Sequence, residues 1–375
     1  MKIVFVALAL WLATSSISDA QRGARRLRAT AAAVDRFIGG LQTRGAFNGA
    51  VLVSRNGRTA LSKGYGIADR ATGTPITSDT RFAIASITKT FTATATLMLQ
   101  DRGRLRLDDP ITRYLPTAPA TWQGVQVRHL LNHTSGIRDY LEVAAERGLL
   151  GLDPSVPRTH DEVIDVFRNE PLDFIPGTRF KYSNSGYYLL GEIIAAASGR
   201  AYETFIEQEI LQPLGMTGSG FDRIGADTGG VRATGYTVDG ATTVPASRFD
   251  VSLTYAAGAL YSTVGDLGRW ADALRAGRLV SAHARAQLLT PSVRIPLAAI
   301  GLTGGRYQAA ANGAGWFLYR RAGRRLIAHD GALDGFLSDL AIYPGARVTV
   351  VVLLNIDSTD AVALADAVAD IALDQ

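Results

Sequence analysis

The sequence predicts an α+β fold, an α/β chain in the broad sense, in which one antiparallel sheet is assembled from both ends of the chain and a mostly helical domain is inserted between them. Three observations carry this. Strand patterns cluster near the start and again near the end; the connections within each cluster are short hairpin turns, whereas parallel strands need long crossovers; and the stretch between them is helical and loop-rich, with Gly and Pro punctuation. With 375 residues, 47% apolar and 19% charged, the chain can bury a substantial core. The sheet region is expected over about 30–80 and 297–375, and the helical region over about 81–296.

Elements follow in order. Met1 and Lys2 precede an apolar run, Ile3 to Ala13, and a polar stretch ending Ser18-Asp19-Ala20. This is the layout of a signal peptide over residues 1–20, and the run is well short of the roughly 20 apolar residues a spanning helix needs. The sequence therefore predicts a secreted or periplasmic protein with no permanent membrane span. Val34, Phe37, Ile38 and Leu41 fall at i, i+3, i+4 and i+7, with Gly45 just beyond, so an amphipathic helix opens the mature domain. Ala50 to Ser54 and Arg58 to Tyr65 read as strands around Asn56-Gly57, a strong hairpin signal. Strands return as Trp316 to Arg320, Leu326 to His329, Phe336 to Tyr343 and Val348 to Leu354, with turns at Ala322-Gly323 and Pro344-Gly345. A last helix carries the stripe Leu364, Val368 and Ile371, with Ser358 as its expected cap.

Composition excludes several chemistries. There is no Cys, which removes disulfides and thiol catalysis, and the five His show no zinc-ligand spacing. No metal and no cofactor is expected. The net charge is +5, but its 39 basic residues, only four of them Lys, are dispersed along the chain. Nothing in that pattern predicts a nucleic-acid partner.

Three motifs bear chemistry. Ser86-Ile87-Thr88-Lys89 opens a helix expected to run to about Gln100; residues three apart share a helix face, so Lys89 can reach the Ser86 hydroxyl and take or tune its proton. The helix N-terminus adds backbone N–H groups where negative charge would develop. Tyr182-Ser183-Asn184 lies in a polar loop expected to feed an apolar helix from about Tyr188, so that Tyr182 and Asn184 can face one cavity. His329-Asp330-Gly331-Ala332 ends a strand, and Gly331 would let a substrate approach the strand backbone closely. His133, Asp109 and Glu192 are assigned to loop packing and solvated helix faces.

In this order and spacing, Ser-x-x-Lys, Tyr-Ser-Asn and His-x-Gly resemble the serine β-lactamase and penicillin-binding-protein superfamily, nearest its class C β-lactamase, D-alanyl-D-alanine carboxypeptidase, D-aminopeptidase and family VIII esterase branch. The resemblance runs from about Val34 to Asn355 and includes His129-Leu130-Leu131-Asn132-His133-Thr134-Ser135-Gly136. It implies a β-lactamase/transpeptidase-like fold and a serine hydrolase in which Ser86 forms an acyl-enzyme. Lys89 and Tyr182 would share the proton work, the Ser86 and Ala332 N–H groups would form the oxyanion hole, and Asn184, His329, Gly331 and Ala332 would line the substrate site. Which of Lys89 and Tyr182 takes the serine proton stays open. Where many lactamases carry Lys-Thr-Gly, this chain has His329 and Asp330; His329 would be positive only part of the time, and Asp330 either repels a substrate carboxylate or is turned to the opposite face by strand alternation. The implied substrate is a small ester or amide, a D-amino-acid peptide (peptidoglycan-derived ones included) or a carboxylic ester. A class C-like β-lactamase and a non-catalytic protein that binds wall peptides or β-lactams are the alternatives.

Overall fold

The computed structural model describes residues 2–149, 153–221, 229–240, 242–300, 302 and 306–375, with side-chain surroundings given from Gln21 onward. The side chains of the expected signal peptide thus lie outside the described residues. So do parts of the segments Asp139–Arg168 and Gly220–Phe249.

The two chain ends meet in one eight-stranded antiparallel sheet. Its strands are β1 (Gly49–Arg55), β2 (Arg58–Tyr65), β3 (Val293–Ile295), β4 (Tyr307–Asn312), β5 (Phe317–Arg321), β6 (Arg324–Leu333), β7 (Phe336–Tyr343) and β8 (Val348–Leu354), in the spatial order β3-β4-β5-β6-β7-β8-β1-β2. The junction is β1 against β8, from Gly49↔Leu354 to Arg55↔Val348. The β1–β2 hairpin turns on Asn56 (φ 55°) and Gly57 (φ 72°), both left-handed as its tight turn requires.

Helices cover both faces of the sheet, and this explains why β8 reads as a nearly continuous apolar run, broken only by Thr349. Val348, Val350, Val352 and Leu354 pack towards helices α1 (Lys2–Thr43) and α5 (Ala361–Asp374). Val351 and Leu353 pack towards the helical region, whose principal members here are α2 (Thr88–Asp101), α3 (Asn184–Ser198) and α4 (Val264–Ala276). Each buried Val or Leu contributes about 1.5–3 kcal/mol.

The sequence reading is corrected at several points. Helix α1 does not start near Val34 but runs unbroken from Lys2, because the residues before Val34 are rich in the strong helix formers Ala, Arg and Leu and contain no Pro, which lets the helix pass through the single Gly23. Strands β3 and β4 were not expected; β3 has three residues, and β4 is Tyr-Gln-Ala-Ala-Ala-Asn, poor in β-branched side chains. The last helix is capped by Asp360, which accepts from the Ala363 N–H at 2.9 Å, and not by Ser358. Short strands also interrupt the helical region, among them Phe82–Ala83 against Leu260–Ser262. No described helix is long and apolar enough to cross a membrane.

Candidate active site

Helix α2 is buried along nearly its whole length although every second residue from Thr88 to Thr96 is threonine. Its hydroxyls bond back to the preceding turn: Thr90 to Ile87 O at 2.8 Å, Thr94 to Thr90 O at 2.8 Å and Thr96 to Thr92 O at 2.9 Å. Each satisfies its own polar group, so this helix passes through the core with Lys89 on its first turn. Immediately before it, Ala85–Ile87 form a 3₁₀ turn in which Ala85 has φ 46°. For a residue with a Cβ this costs on the order of 1–3 kcal/mol, and the strain sits beside Ser86.

The turn is held from the sheet side. Ser338 on β7 donates to Ile84 O at 2.9 Å, and Gly331 on β6 lies against the same segment. A Cβ at Gly331 would stand 2.4 Å from Ile84 O, 2.6 Å from Ser338 Oγ and 2.9 Å from Ser86 N. Gly331→Ala is therefore expected to push the Ser86 turn out of place and lower kcat by about 100-fold, the scale of a 1 Å misplacement. Steady-state kinetics on an activated ester, with the melting temperature recorded alongside, checks this.

Lys89 has no exposed surface. Its Nζ lies 2.9 Å from Ser86 Oγ, 2.9 Å from Asn184 Oδ1 and 2.8 Å from Ala257 O. Burial pulls its pKa down to about 7, partly offset by Asp139 and then Asp330. Near neutral pH the group is thus divided between an ammonium, which donates to all three acceptors, and an amine, which donates to Asn184 and Ala257 and turns its lone pair to the Ser86 hydroxyl. Tyr182 behaves oppositely: burial first pushes its phenol well above 10, with the Ser86 hydroxyl pulling the other way, so it keeps its proton. Lys89 Nζ stands 4.9 Å from the centre of the Tyr182 ring.

Asn184 is not in a loop but is the first residue of α3. Ser183 caps that helix, its Oγ accepting from Gly186 N at 3.3 Å. The helix starts four residues before the expected Tyr188 because Ser183 supplies the cap. Asp139, buried, accepts from the Asn184 N–H.

His329 is buried, and its Nδ1–H donates to Asp330 O at 2.6 Å. Burial, then Lys89, push its pKa down against the opposing pull of Asp330. The ring is therefore neutral at pH 7, which corrects the expectation of a partly positive His329. The Asp330 question is also decided. Asp330 pairs directly with Asp339 and His329 with Leu340; Leu340 belongs to the core on the helical side, so Asp330 faces the other side, towards α5.

Ser86, Tyr182, Asn184, His329, Gly331 and Ala332 line one cavity of about 570 Å³, and Lys89 lies buried beneath it. The structure thus brings together all seven predicted residues. Some further contributors were not foreseen. His133, assigned to loop packing, is 1% exposed and stacks on the Tyr182 ring at 4.5 Å, its Nδ1 accepting from Ser183 N at 3.1 Å. Its position within His-Leu-Leu-Asn-His-Thr-Ser-Gly was the available signal. Asp139 and the Ala257 carbonyl had none. Asp109 does pack its loop, accepting from Arg106 N and the Tyr114 hydroxyl. Glu192 pairs with His160 at 2.7 Å instead of facing solvent.

The Beta-lactamase family model matches residues 34–373. Penicillin-binding protein 4* of Bacillus subtilis (strain 168) is 30% identical over 323 residues, covering 82% of this chain and 68% of that protein. Across the first curated relatives the chain spans 56–68% of their length. Among solved structures, the octameric penicillin-binding protein homologue from Pyrococcus abyssi superposes with a TM-score of 0.80 at 28% identity, over 92% of this chain and 77% of that one. The D-amino acid amidase from Ochrobactrum anthropi SV3 gives 0.74 at 26%, over 92% and 98%. A buried lysine beside a serine on the turn before α2, a tyrosine and an asparagine from a second segment and a glycine-bearing strand at the cleft therefore lie in a chain that belongs to the β-lactamase family, with its penicillin-binding-protein-like fold.

Proposed function

We propose that the protein is an exported serine hydrolase that cleaves small amides or esters, of the D-amino-acid type, through an acyl-enzyme on Ser86. The observation that carries this is the contact of fully buried Lys89 with Ser86 Oγ at 2.9 Å, together with the displacement of that lysine to about 7. An amine so placed removes the serine proton as Ser86 attacks the carbonyl carbon. Tyr182, which keeps its proton at neutral pH, gives one to the departing amine or alkoxide, and the ammonium on Lys89 then returns a proton to it. The backbone N–H groups of Ser86 and Ala332 face the developing oxyanion, each such donor being worth roughly 10²–10³-fold. Water, deprotonated by the same Lys89–Tyr182 pair, attacks the ester carbonyl, and Ser86 leaves with the returned proton.

The reading favours amide and ester substrates over β-lactams because of charge. His329 supplies no cation at pH 7, so nothing at that position fixes a substrate carboxylate. The amidase likeness supports the D-amino-acid class. Intact-mass measurement after brief exposure to excess benzylpenicillin, with D-alaninamide hydrolysis followed in parallel, tests the assignment. Amide turnover without a persistent penicillin adduct is expected. A stable Ser86-dependent adduct with no amide turnover points to a penicillin-binding protein, and rapid penicillin consumption to a β-lactamase. Export rests on the layout of residues 1–20; protein recovered from its host is expected to begin after Ala20, and an intact Met1 refutes it.

A further inference from the structure

The cavity continues past the nucleophile. Strand β5 pairs with β6 only as far as Phe317↔Ala328, so among the described residues no strand flanks 329–333 on that side. Around this open edge the cavity reaches the face of the sheet covered by α5, where Asp330, Asp339 and Asp366 line it together with Tyr319.

Asp330 and Asp339 are direct cross-strand partners on one face, an arrangement in which like charges repel. Asp339 is 4% exposed, yet among the described residues its carboxyl has no hydrogen bond and no ion pair while it lines the cavity. The neighbouring cations are already committed. Arg321 holds Asp366 at 2.8 Å and Asp370 at 2.9 Å, and Arg306 also pairs with Asp370. Tyr307 donates to Asp366 at 3.1 Å, and Asp360 caps α5. The opposite wall is aromatic: Phe317 and Tyr319 stack at 5.9 Å, and Tyr307 meets Tyr319 edge-on at 5.2 Å. The Tyr319 hydroxyl likewise has no hydrogen-bond partner among the described residues. Unpaired carboxyls facing ring faces are the chemistry that recognises an organic cation. Among the described residues no group of three or more acids and histidines is placed to hold a metal ion.

We propose that this end of the cleft is a subsite for a primary ammonium group of the substrate, held by Asp339 and Asp330 against the rings of Tyr319 and Phe317. The proposal rests on the hydrolase reading for the identity of the bound molecule as a substrate, and it makes that substrate an amine-bearing amide or ester. Burial, then Asp330, Asp366 and Asp360, push the Asp339 carboxyl well above the usual carboxylate range. An arriving ammonium displaces its proton, so affinity rises with pH until the ligand itself deprotonates. Asp330, Asp360, Asp366, Asp370, Tyr307, Tyr319, Tyr343, Arg306 and Arg321 are the charged and titratable groups around it.

Calorimetric titration with benzylammonium chloride, set against the matched neutral ligand benzyl alcohol, tests the subsite on the unmodified chain. Binding about ten-fold tighter for the ammonium is expected, increasing with pH as long as the ligand stays protonated, and weakened about ten-fold in Asp339→Asn and Asp330→Asn. Equal affinity for the two ligands overturns the proposal without relying on a variant. So does displacement of benzylammonium by potassium chloride as effective as displacement by methylammonium chloride, which marks a site for inorganic cations. Hydrolysis of p-nitrophenyl acetate by the unmodified protein and by Ser86→Ala is measured alongside. If it is absent, or persists in Ser86→Ala, the hydrolase reading falls, while the calorimetry still decides the ammonium site.

Discussion

Ser86→Ala is expected to lower kcat/KM for any ester or amide the protein cleaves by on the order of 10⁶-fold, the scale seen when the nucleophile of a concerted hydrolytic site is removed. The change deletes the atom that forms the acyl-enzyme and leaves the Lys89 contacts with Asn184 and Ala257 in place. The fold should therefore survive, with a melting temperature within a few degrees of the parent. Mass spectrometry after treatment with an activated ester separates the outcomes cleanly. The parent gains the acyl mass and the variant does not; an adduct that persists in Ser86→Ala would falsify the nucleophile assignment.

The second large effect concerns Lys89. Replacing it by Met keeps the volume of an unbranched buried chain but removes the amine, and a positioned base is worth roughly 10²–10⁴-fold in rate. The pH dependence is the more discriminating readout. Burial lowers the lysine to about 7, so below that value the group is an ammonium and cannot accept the serine proton. Above it, the lone pair is free. The expected kcat/KM profile rises with pH through about 7 and then levels, and the limb disappears in Lys89→Met. Tyr182, held well above 10 by burial, predicts a limb at much higher pH if the tyrosinate were the base. A rise that lies well above pH 10 and survives in Lys89→Met would transfer the role to Tyr182.

The physical reason Lys89 can play this part was only half legible in the chain. A lysine three residues after a serine at the head of a helix places the two side chains together by helix geometry alone. The shift of its pKa depends instead on what encloses it: α3 from one side, the Ala257 carbonyl from another and the Tyr182 ring at 4.9 Å. Asn184 at the start of α3 and Ala257 lie 95 and 168 residues from Lys89 in sequence, and no local pattern reports how tightly these segments close. His329 is a similar case. Its place at the cleft follows from the motif, but its neutrality comes from burial and from Lys89.

His133 illustrates a different limit. As a sequence position it is one histidine in a loop, and packing is the ordinary role for it. In the structure the packing is the point, since its ring lies against Tyr182 at 4.5 Å and its Nδ1 accepts from the backbone of Ser183, the residue that caps α3. It therefore steadies Tyr182 and Ser183 of the Tyr-Ser-Asn segment without facing the cavity.

By itself, the sequence determined the sheet built from both termini, because β1, β2, β7 and β8 carry their own hairpin turns and apolar patterns, and its three motifs, read together through the family they resemble, pointed to the seven residues that the fold gathers at the cleft. Strands β3 and β4 were decided by tertiary pairing, since three residues or an alanine-rich run hold as strands only when a neighbouring edge supplies the hydrogen bonds. Tertiary structure also decided the charges: which proton Lys89 keeps, that His329 is neutral, and that Asp330 stands beside Asp339 and away from Ser86. Desolvation and through-space charge depend on the distances between remote segments, and only the folded chain sets those distances.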